Sequence, residues 1–399
     1  MKICILCEPT FISTHLGVRN VILSVYNSLS RDHDCDLIIP AIDSPNNIRF
    51  KRVVLSAAFL SDGGFWSDIY FDFKRPDEFY RHRKTPVKEN VKTRTGLDDI
   101  IFNEMGSNLE EHGYELAIFS VPWLSLPRYT KIAPRNVGIV YDMIPNLYAF
   151  ARGANDFAFR HALGYSHYMA ECDGIWCISE STKEKFTSFQ QARSERPNVF
   201  VIKPLTPTFL NRHAITHNEK SALGRFINKT VVYVPNIFDE RKGIGYLSKL
   251  IKNTDRSALQ NCCFVFSGEE RCRSDVVHDF VRSFDGIDCR IYKKLSSQTL
   301  INLYQQARLT LFPSSNEGLG LPVIESQFLG TPVLCGNFET VKEVCVAPSR
   351  VLAQNEDHDR PLLLEWLRSP KPETCFGTFI ELHHLDNLTD ELNRLIKAY

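Results

Sequence analysis

The segment Leu309 to Gly336, LTLFPSSNEGLGLPVIESQFLGTPVLCG, constrains the fold more than any other part of the chain. LTLFP is a short apolar run suited to a buried parallel strand, and Ser314 to Gly320 is a polar, glycine-bearing turn. Pro322 suits the first turn of a helix and Gly330 its end, and TPVLCG reads as the next strand. The unit is therefore strand, loop, helix, strand. Units of this kind build α/β sheets that bind ligands at the carboxyl ends of their strands. The loop between Pro313 and Leu321 lies at that end.

Two carboxylates flank the turn. Gly318 and Gly320 allow a ligand to come close to the backbone, with Leu319 between them and Leu321 following. The unsatisfied N–H groups at the start of the helix suit a diphosphate. Glu325, one turn into the helix, is placed to accept from vicinal hydroxyls such as those of a ribose, and Glu317 sits before the turn, nearer a sugar. On residue type alone, Glu317 could equally be a helix cap and Glu325 a solvated surface residue.

The wider frame separates these readings. Pro313, Ser314, Glu317, Gly318, Gly320, Leu321, Pro322 and Glu325 spell P-S-x-x-E-G-x-G-L-P-x-x-E, with E-x7-E inside it. This resembles the retaining glycosyltransferases of family 4, the glycosyl transferases group 1 type. A second element is similar to the same family: Val231 to Leu250, VVYVPNIFDERKGIGYLSKL, reads as strand, loop and helix, with Arg241-Lys242-Gly243 at the turn. The resemblance implies that Arg241 and Lys242 neutralise the leaving diphosphate. Fixed cations stabilise that developing charge without a metal. Pro235 stands where the family usually has glycine. Cys262 to Glu270 and the run CRIYKKLSSQTLINLYQQA resemble the intervening strands and helix, and Lys294 and Leu295 fall at the turn where the family packs the nucleobase. Leu300, Leu303, Tyr304 and Ala307 share a helical face and read as core, with Ser296 or Ser297 as the cap.

The amino-terminal half repeats strand-like runs, KICILC, DLIIP, RVVL, ELAIFS, VGIVYD, GIWCIS and VFVIK, several separated by helical stretches. Gly17 precedes the apolar-periodic run Val18, Val21, Ile22, Val25 and Leu29 and resembles the family's glycine loop, although a plain helix entry reads equally well. VGIVYDMIPNLY resembles the family segment that ends a central strand in His-Asp. Tyr141 takes the histidine position here and Asp142 follows it. A tyrosine there keeps a hydrogen bond but cannot take up and pass on a proton near neutral pH as a histidine does. Cys172 to Phe186, with Ser179, resembles a structural strand and turn, and Lys203 to about Ala222 reads as a linker.

Phe59 to Arg94 is the least family-like stretch. From Lys74 to Arg94 it carries eight basic residues against three acidic, with aromatics on its amino side and few helix or strand signals. The expectation for 59–94 is a mobile acceptor loop or a peripheral contact with anionic headgroups, set against an ordinary solvated charge run.

Composition narrows the class further. Lys plus Arg equals Asp plus Glu, 47 each, so no global field favours nucleic acid. No apolar run approaches about 18 residues, so a cytoplasmic chain without a spanning helix is expected. The 12 cysteines lie mostly in strand-like runs and read as buried thiols, Cys4-x-x-Cys7 included. Asp32-His33-Asp34 and Asp357-His358-Asp359 imitate a metal-binding D-x-D, but Asp32 precedes a strand instead of following one.

The family resemblance implies an α/β GT-B fold, two facing Rossmann-like domains with parallel sheets and an interdomain cleft. The expected boundaries are 1–204 for the acceptor domain, 205–225 for a linker and 226–385 for the nucleotide-sugar domain, with 386–399 as a helix crossing back. The implied activity is a retaining, metal-independent transfer of a hexose from a nucleoside-diphosphate sugar to a glycan or lipid-linked acceptor. The Arg-Lys pair and the Ile-Pro segment lean towards mannosyl-type enzymes of bacterial polysaccharide synthesis, with GDP-mannose as donor. The alternative is a non-catalytic member of the fold that binds nucleotide sugar or glycan within a synthesis complex.

Overall fold

The structure is a computed structural model that describes residues 1–9, 16–44, 47–56, 68–89, 100–124, 132–146, 156–190, 197–202, 224–226, 228–371 and 385–397. Its strands are β1 (Lys2–Leu6), β2 (Asp34–Ser44), β3 (Asn47–Leu55), β4 (Asp68–Phe73), β5 (Val87–Glu89), β6 (Ile100–Gly106), β7 (Leu116–Phe119) and β8 (Arg135–Val140). They continue as β9 (Gly174–Cys177), β10 (Asn198–Val201), β11 (Thr230–Val234), β12 (Cys262–Ser267), β13 (Asp288–Lys294), β14 (Leu309–Phe312), β15 (Val333–Cys335) and β16 (Arg350–Val351).

The chain divides into two compact units, each Rossmann-like. The first comprises Met1–Gly63, Gly96–Arg212 and Leu382–Tyr399, and the second Gly64–Thr95 and His213–Glu381. In the first, strands run in the order β10-β9-β8-β7-β1-β2-β3-β6, parallel from β10 to β2 and antiparallel beyond. The near-continuous apolar runs of β1, β7, β8 and β9 are buried because helices cover both faces of such a sheet. The helix Leu16–Leu29 packs against the carboxyl-terminal helix Leu385–Lys397. No described helix is long and apolar enough to cross a membrane. The strand β6 gave no alternating signal because most of its side chains are exposed, Ile101 and Phe102 among them.

The second unit has the order β16-β15-β14-β11-β12-β13-β4-β5. From β11 the chain builds outward through β12 and β13, then returns to the other side of β11 with β14 and proceeds to β15 and β16. The strand order thus reverses between β11 and β14, which pair Val232 with Leu309 and Tyr233 with Thr310. In open α/β sheets this reversal opens the ligand crevice.

One expectation is overturned here. Residues 68–89 belong to the second unit, not to the amino-terminal domain, and do not form a loop. β4 runs antiparallel to β13, β5 pairs with β4, and the helix Pro76–His82 lies between them in sequence. The reason is packing. Phe71 and Phe73, among the aromatics on the amino side of the charge run, and Phe79 within it are at most 2% exposed in the core formed with Phe264, Phe280 and Phe284. Asp72 holds Arg290 by two hydrogen bonds of 2.7 and 3.1 Å, and Tyr70 lies under the same guanidinium. Several of the basic residues are paired locally, Arg75 with Glu78 and Arg81 with Asp77. The expected linker, Lys203 to Ala222, lies outside the described residues.

Candidate functional site

Two loops meet at the reversal point. The first follows β11, where Asp239 accepts from the Arg241 N–H at 2.9 Å and shapes the short turn Glu240–Lys242. Gly243 then takes φ +83°, and a Cβ there would lie 2.2 Å from the Pro313 carbonyl oxygen, so only glycine admits the second loop so closely. The helix Ile244–Lys252 begins at once. The second loop follows β14, from Pro313 to Gly320, and Gly320, with φ +94°, leads into the helix Leu321–Phe328. The backbones join where Ser315 N donates to Arg241 O at 2.9 Å.

Between the loops the charged side chains collect. Lys242 Nζ lies 2.6 Å from Glu317 Oε1, and Arg241 Nη1 lies 3.1 Å from Glu317 Oε2. Arg241 also donates to the Asn316 carbonyl at 2.5 Å, and Ser314 Oγ to Glu317 at 2.5 Å. Lys242 stands 5.1 Å above the Phe312 ring. Burial acts to raise the Glu317 carboxyl, but Lys242 and Arg241, with donation from Lys242 and Ser314, hold it below its ordinary value. Glu317 thus faces two cations at the carboxyl ends of β11 and β14. The expectation that Arg241 and Lys242 wait for a diphosphate thus acquires a second part: both are oriented by Glu317.

Glu325 occupies a different environment. It is buried, and its carboxylate accepts from Tyr304 Oη at 2.8 Å. Burial raises its pKa to about 7, against the opposing effect of the Tyr304 bond. Tyr304 reads from periodicity alone as core. It is core, but a buried tyrosine hydroxyl usually finds a partner, and that was the available signal. Ser314 is the other residue whose role periodicity does not reveal. Leu319 is buried, and its carbonyl accepts from Thr340 Oγ1 at 3.2 Å. Gly318 lies within the same loop, before Gly320. Lys294, exposed, ends β13, with Leu295 next, and Ser296 caps the helix Ser297–Gln306 by accepting from Thr299 N at 3.1 Å.

The candidates of the first unit lie apart from this cluster in sequence and sheet. Gly17 is in the first turn of the helix Leu16–Leu29, and the residues preceding that helix are outside the description. Tyr141 follows β8. It is buried, and its Oη has no hydrogen-bond partner among the described residues. Asp142 accepts from the Ile144 N–H at 2.9 Å, while its carbonyl accepts from Tyr165 Oη at 2.5 Å. Ser179 accepts from Thr182 N at 3.0 Å, the cap of a helix start.

Residues 217–360, which span both loops, match the family model described as "Glycosyl transferases group 1". This part of the chain is similar to a glycosyltransferase domain. Among curated proteins, the O-antigen chain mannosyltransferase B of Escherichia coli is 40% identical over 57 residues, which cover 14% of this chain and 15% of that protein. The matched stretch is thus a small fraction of the relative's length. Among solved structures, HepE from Anabaena, in complex with UDP and glucose, aligns with a TM-score of 0.64 at 12% identity over 100% of both chains. Sucrose-phosphate synthase from Thermosynechococcus elongatus aligns with a TM-score of 0.62 at 12% identity, over 100% of this chain and 98% of that one. WaaG, a glycosyltransferase involved in lipopolysaccharide biosynthesis, aligns with a TM-score of 0.58 at 12% identity over 99% of each. The fold is GT-B.

In the matched region, the E-x7-E frame therefore has a defined geometry: one carboxylate met by two cations at the strand-order reversal, the other buried and held by a tyrosine.

Proposed function

We propose that the protein is a retaining hexosyltransferase that uses a nucleoside-diphosphate sugar, with GDP-mannose the favoured donor, and builds a glycan or lipid-linked oligosaccharide of a cell-surface polysaccharide. The observation that carries this reading is the cluster of half-buried Arg241 and Lys242 on buried Glu317 at the reversal of strand order. The short identity to an O-antigen mannosyltransferase supports the choice of sugar. The HepE structure holds UDP-glucose, which supports a nucleotide-sugar donor but a different base.

In this reading the diphosphate meets the ammonium of Lys242 and the guanidinium of Arg241, which offer three and five donors. Glu317 and Asn316 accept from the same two side chains and hold them in place. The bond between the sugar C1 and the phosphate oxygen breaks with its electron pair on the nucleoside diphosphate. The acceptor hydroxyl oxygen then bonds C1 on the same face, and its proton passes to the departing phosphate oxygen. The cations stabilise that oxygen most when its charge is greatest. Glu317 orients them and faces the sugar, the backbone from Gly318 to Leu321 receives the phosphates, Lys294 and Leu295 flank the base, and Glu325 accepts from the ribose diol. In the first unit we assign Tyr141 and Asp142 to the sugar and acceptor side and Gly17 to the approach of the phosphates. No metal is required by these roles.

The test is calorimetric titration of UDP, GDP, ADP and their common sugars, with EDTA present, into the wild type and Glu325→Ala. One nucleotide binding the wild type but not the variant supports the site, and release of that nucleotide with formation of a glycoside supports catalysis. Tyr141 in the histidine position favours a second reading, a member that binds without turnover. Tight binding without product would establish that one, and no binding of any nucleotide would remove both.

A further inference from the structure

We propose that Asp68, which lies more than two hundred residues before the E-x7-E frame, is a positioning residue for the nucleoside half of the donor site. The inference rests on the donor reading above. Asp68 is 4% exposed and begins β4, whose antiparallel pairing with β13 sets Ile69 opposite Lys294. Its carboxylate therefore stands at the carboxyl end of β13, the ligand edge of the sheet. One oxygen accepts from Ser296 N at 2.7 Å and the other from Thr299 Oγ1 at 2.5 Å. These atoms belong to the turn after Lys294 and Leu295 and to the first turn of the helix Ser297–Gln306.

Three observations converge on one role. The helix already has its own cap, since the Ser296 hydroxyl accepts from Thr299 N and donates to Thr299 Oγ1. Asp68 thus adds a fixed anion to a complete cap, at the helix end where the dipole favours negative charge. The pairing of β13 with β4 shifts register between Tyr292 and Lys294, so the strand is irregular just before this turn. The bulged Lys293 is itself held, its Nζ donating to the Arg83 carbonyl at 2.9 Å. Finally, the anchored helix carries Tyr304, the donor to Glu325. A single carboxylate therefore fixes both the turn that flanks the base and the helix that orients the ribose acceptor.

The role predicts a split between the two halves of the nucleotide. Asp68→Asn keeps the size of the side chain but loses the charge and one acceptor oxygen. UDP, GDP and ADP would be titrated into the wild type, Asp68→Asn, Asp72→Asn and Glu325→Ala, with inorganic pyrophosphate as a probe of the diphosphate subsite. All titrations would be made well below each variant's melting temperature. Asp72→Asn breaks the Arg290 pair on the same strand and controls for loss of stability. The expected result is a nucleotide Kd raised about fivefold or more in Asp68→Asn, pyrophosphate affinity within about twofold of wild type, and both affinities near wild type in Asp72→Asn. Nucleotide affinity unchanged in Asp68→Asn while Glu325→Ala loses it would overturn the inference and leave the donor reading standing. Equal losses for nucleotide and pyrophosphate would also overturn it, since they would mark a general loosening. A wild type that binds no nucleotide would overturn both.

Discussion

The Lys242 ammonium and the Glu317 carboxylate, 75 positions apart in the chain, lie 2.6 Å from each other. They come from loops after β11 and β14, neighbours only because the chain returns to the other side of its first strand. Arg241 joins the pair, and the Glu317 carboxylate that both cations meet is buried. Glu317→Gln would leave two cations partly unpaired in that environment, and breaking such a pair costs about 3 kcal/mol or more. Urea unfolding of the second unit should show that loss. Because the Glu317 carboxyl is held below 4.5, its ordinary value, its stabilisation is present above that pH and lost as pH falls through the lower folded value. The difference between wild type and variant should therefore narrow in acid.

Lys242→Met retains the apolar stem and removes the charge. If the ammonium neutralises the leaving phosphate, kcat should fall about 10²- to 10³-fold, the usual effect of losing one preorganised charge partner. Donor KM should change less. Steady-state kinetics with the donor found by titration checks the split, and a change confined to KM would show that the cation serves ground-state binding alone.

Glu325 sets a pH dependence of opposite sign. Its folded value, about 7, lies above the ordinary 4.5, so folding favours the protonated form. The associated stability is complete below about 4.5 and is lost as pH rises to about 7. Glu325→Gln should therefore match the wild type in acid and exceed it above neutrality, by up to about 3 kcal/mol. If Glu325 accepts from the ribose, binding runs the other way, because two hydroxyls are best accepted by the ionised carboxylate. Nucleotide affinity should rise about tenfold from pH 6 to pH 8 in the wild type, and this component should be absent from Glu325→Gln.

Tyr304→Phe removes the donor to Glu325 and leaves the ring, which meets Tyr233 edge-on with centroids 5.0 Å apart. With that bond gone, burial should raise the Glu325 carboxyl further. The pH at which nucleotide affinity is half developed should move upward, and calorimetry across pH 6 to 9 would detect it.

Gly243→Ala tests the closure of the two loops. The added Cβ would sit 2.2 Å from the Pro313 carbonyl oxygen at a φ of +83°. Neither the clash nor the strain relaxes cheaply, so a loss of about 2 kcal/mol or more is expected, with weaker nucleotide binding as the Lys242 and Glu317 loops separate. Thermal unfolding with and without nucleotide would measure both.

Much of the second unit was legible because its frame is local. The glycine turn, Pro322 at the helix start and the strand on either side all lie within Leu309 to Gly336, and the helix begins at Leu321, beside the expected position. The pairing of Lys242 with Glu317 was not legible, since only strand order brings them together. Nor was the position of residues 68–89. The alternation in DIYFDF, which turns Phe71 and Phe73 to one face, is a strand signal, but the charge count that follows it drew the reading towards a solvated loop. Tyr304 shows a third cause: helical spacing identifies a buried face but not the hydroxyl at its edge.

The excursion of Gly64–Thr95 into the second unit means that this unit is not a cassette that can be cut out at one junction. A fragment starting at His213 would leave β13 as a bare edge and strip Arg290 of its Asp72 partner, conditions that favour aggregation. A chimaera that exchanges donor halves at the same junction would retain the recipient's own β4 against a foreign β13. Sugar specificity should therefore be grafted in two pieces, with residues 64–95 travelling alongside the sheet they complete.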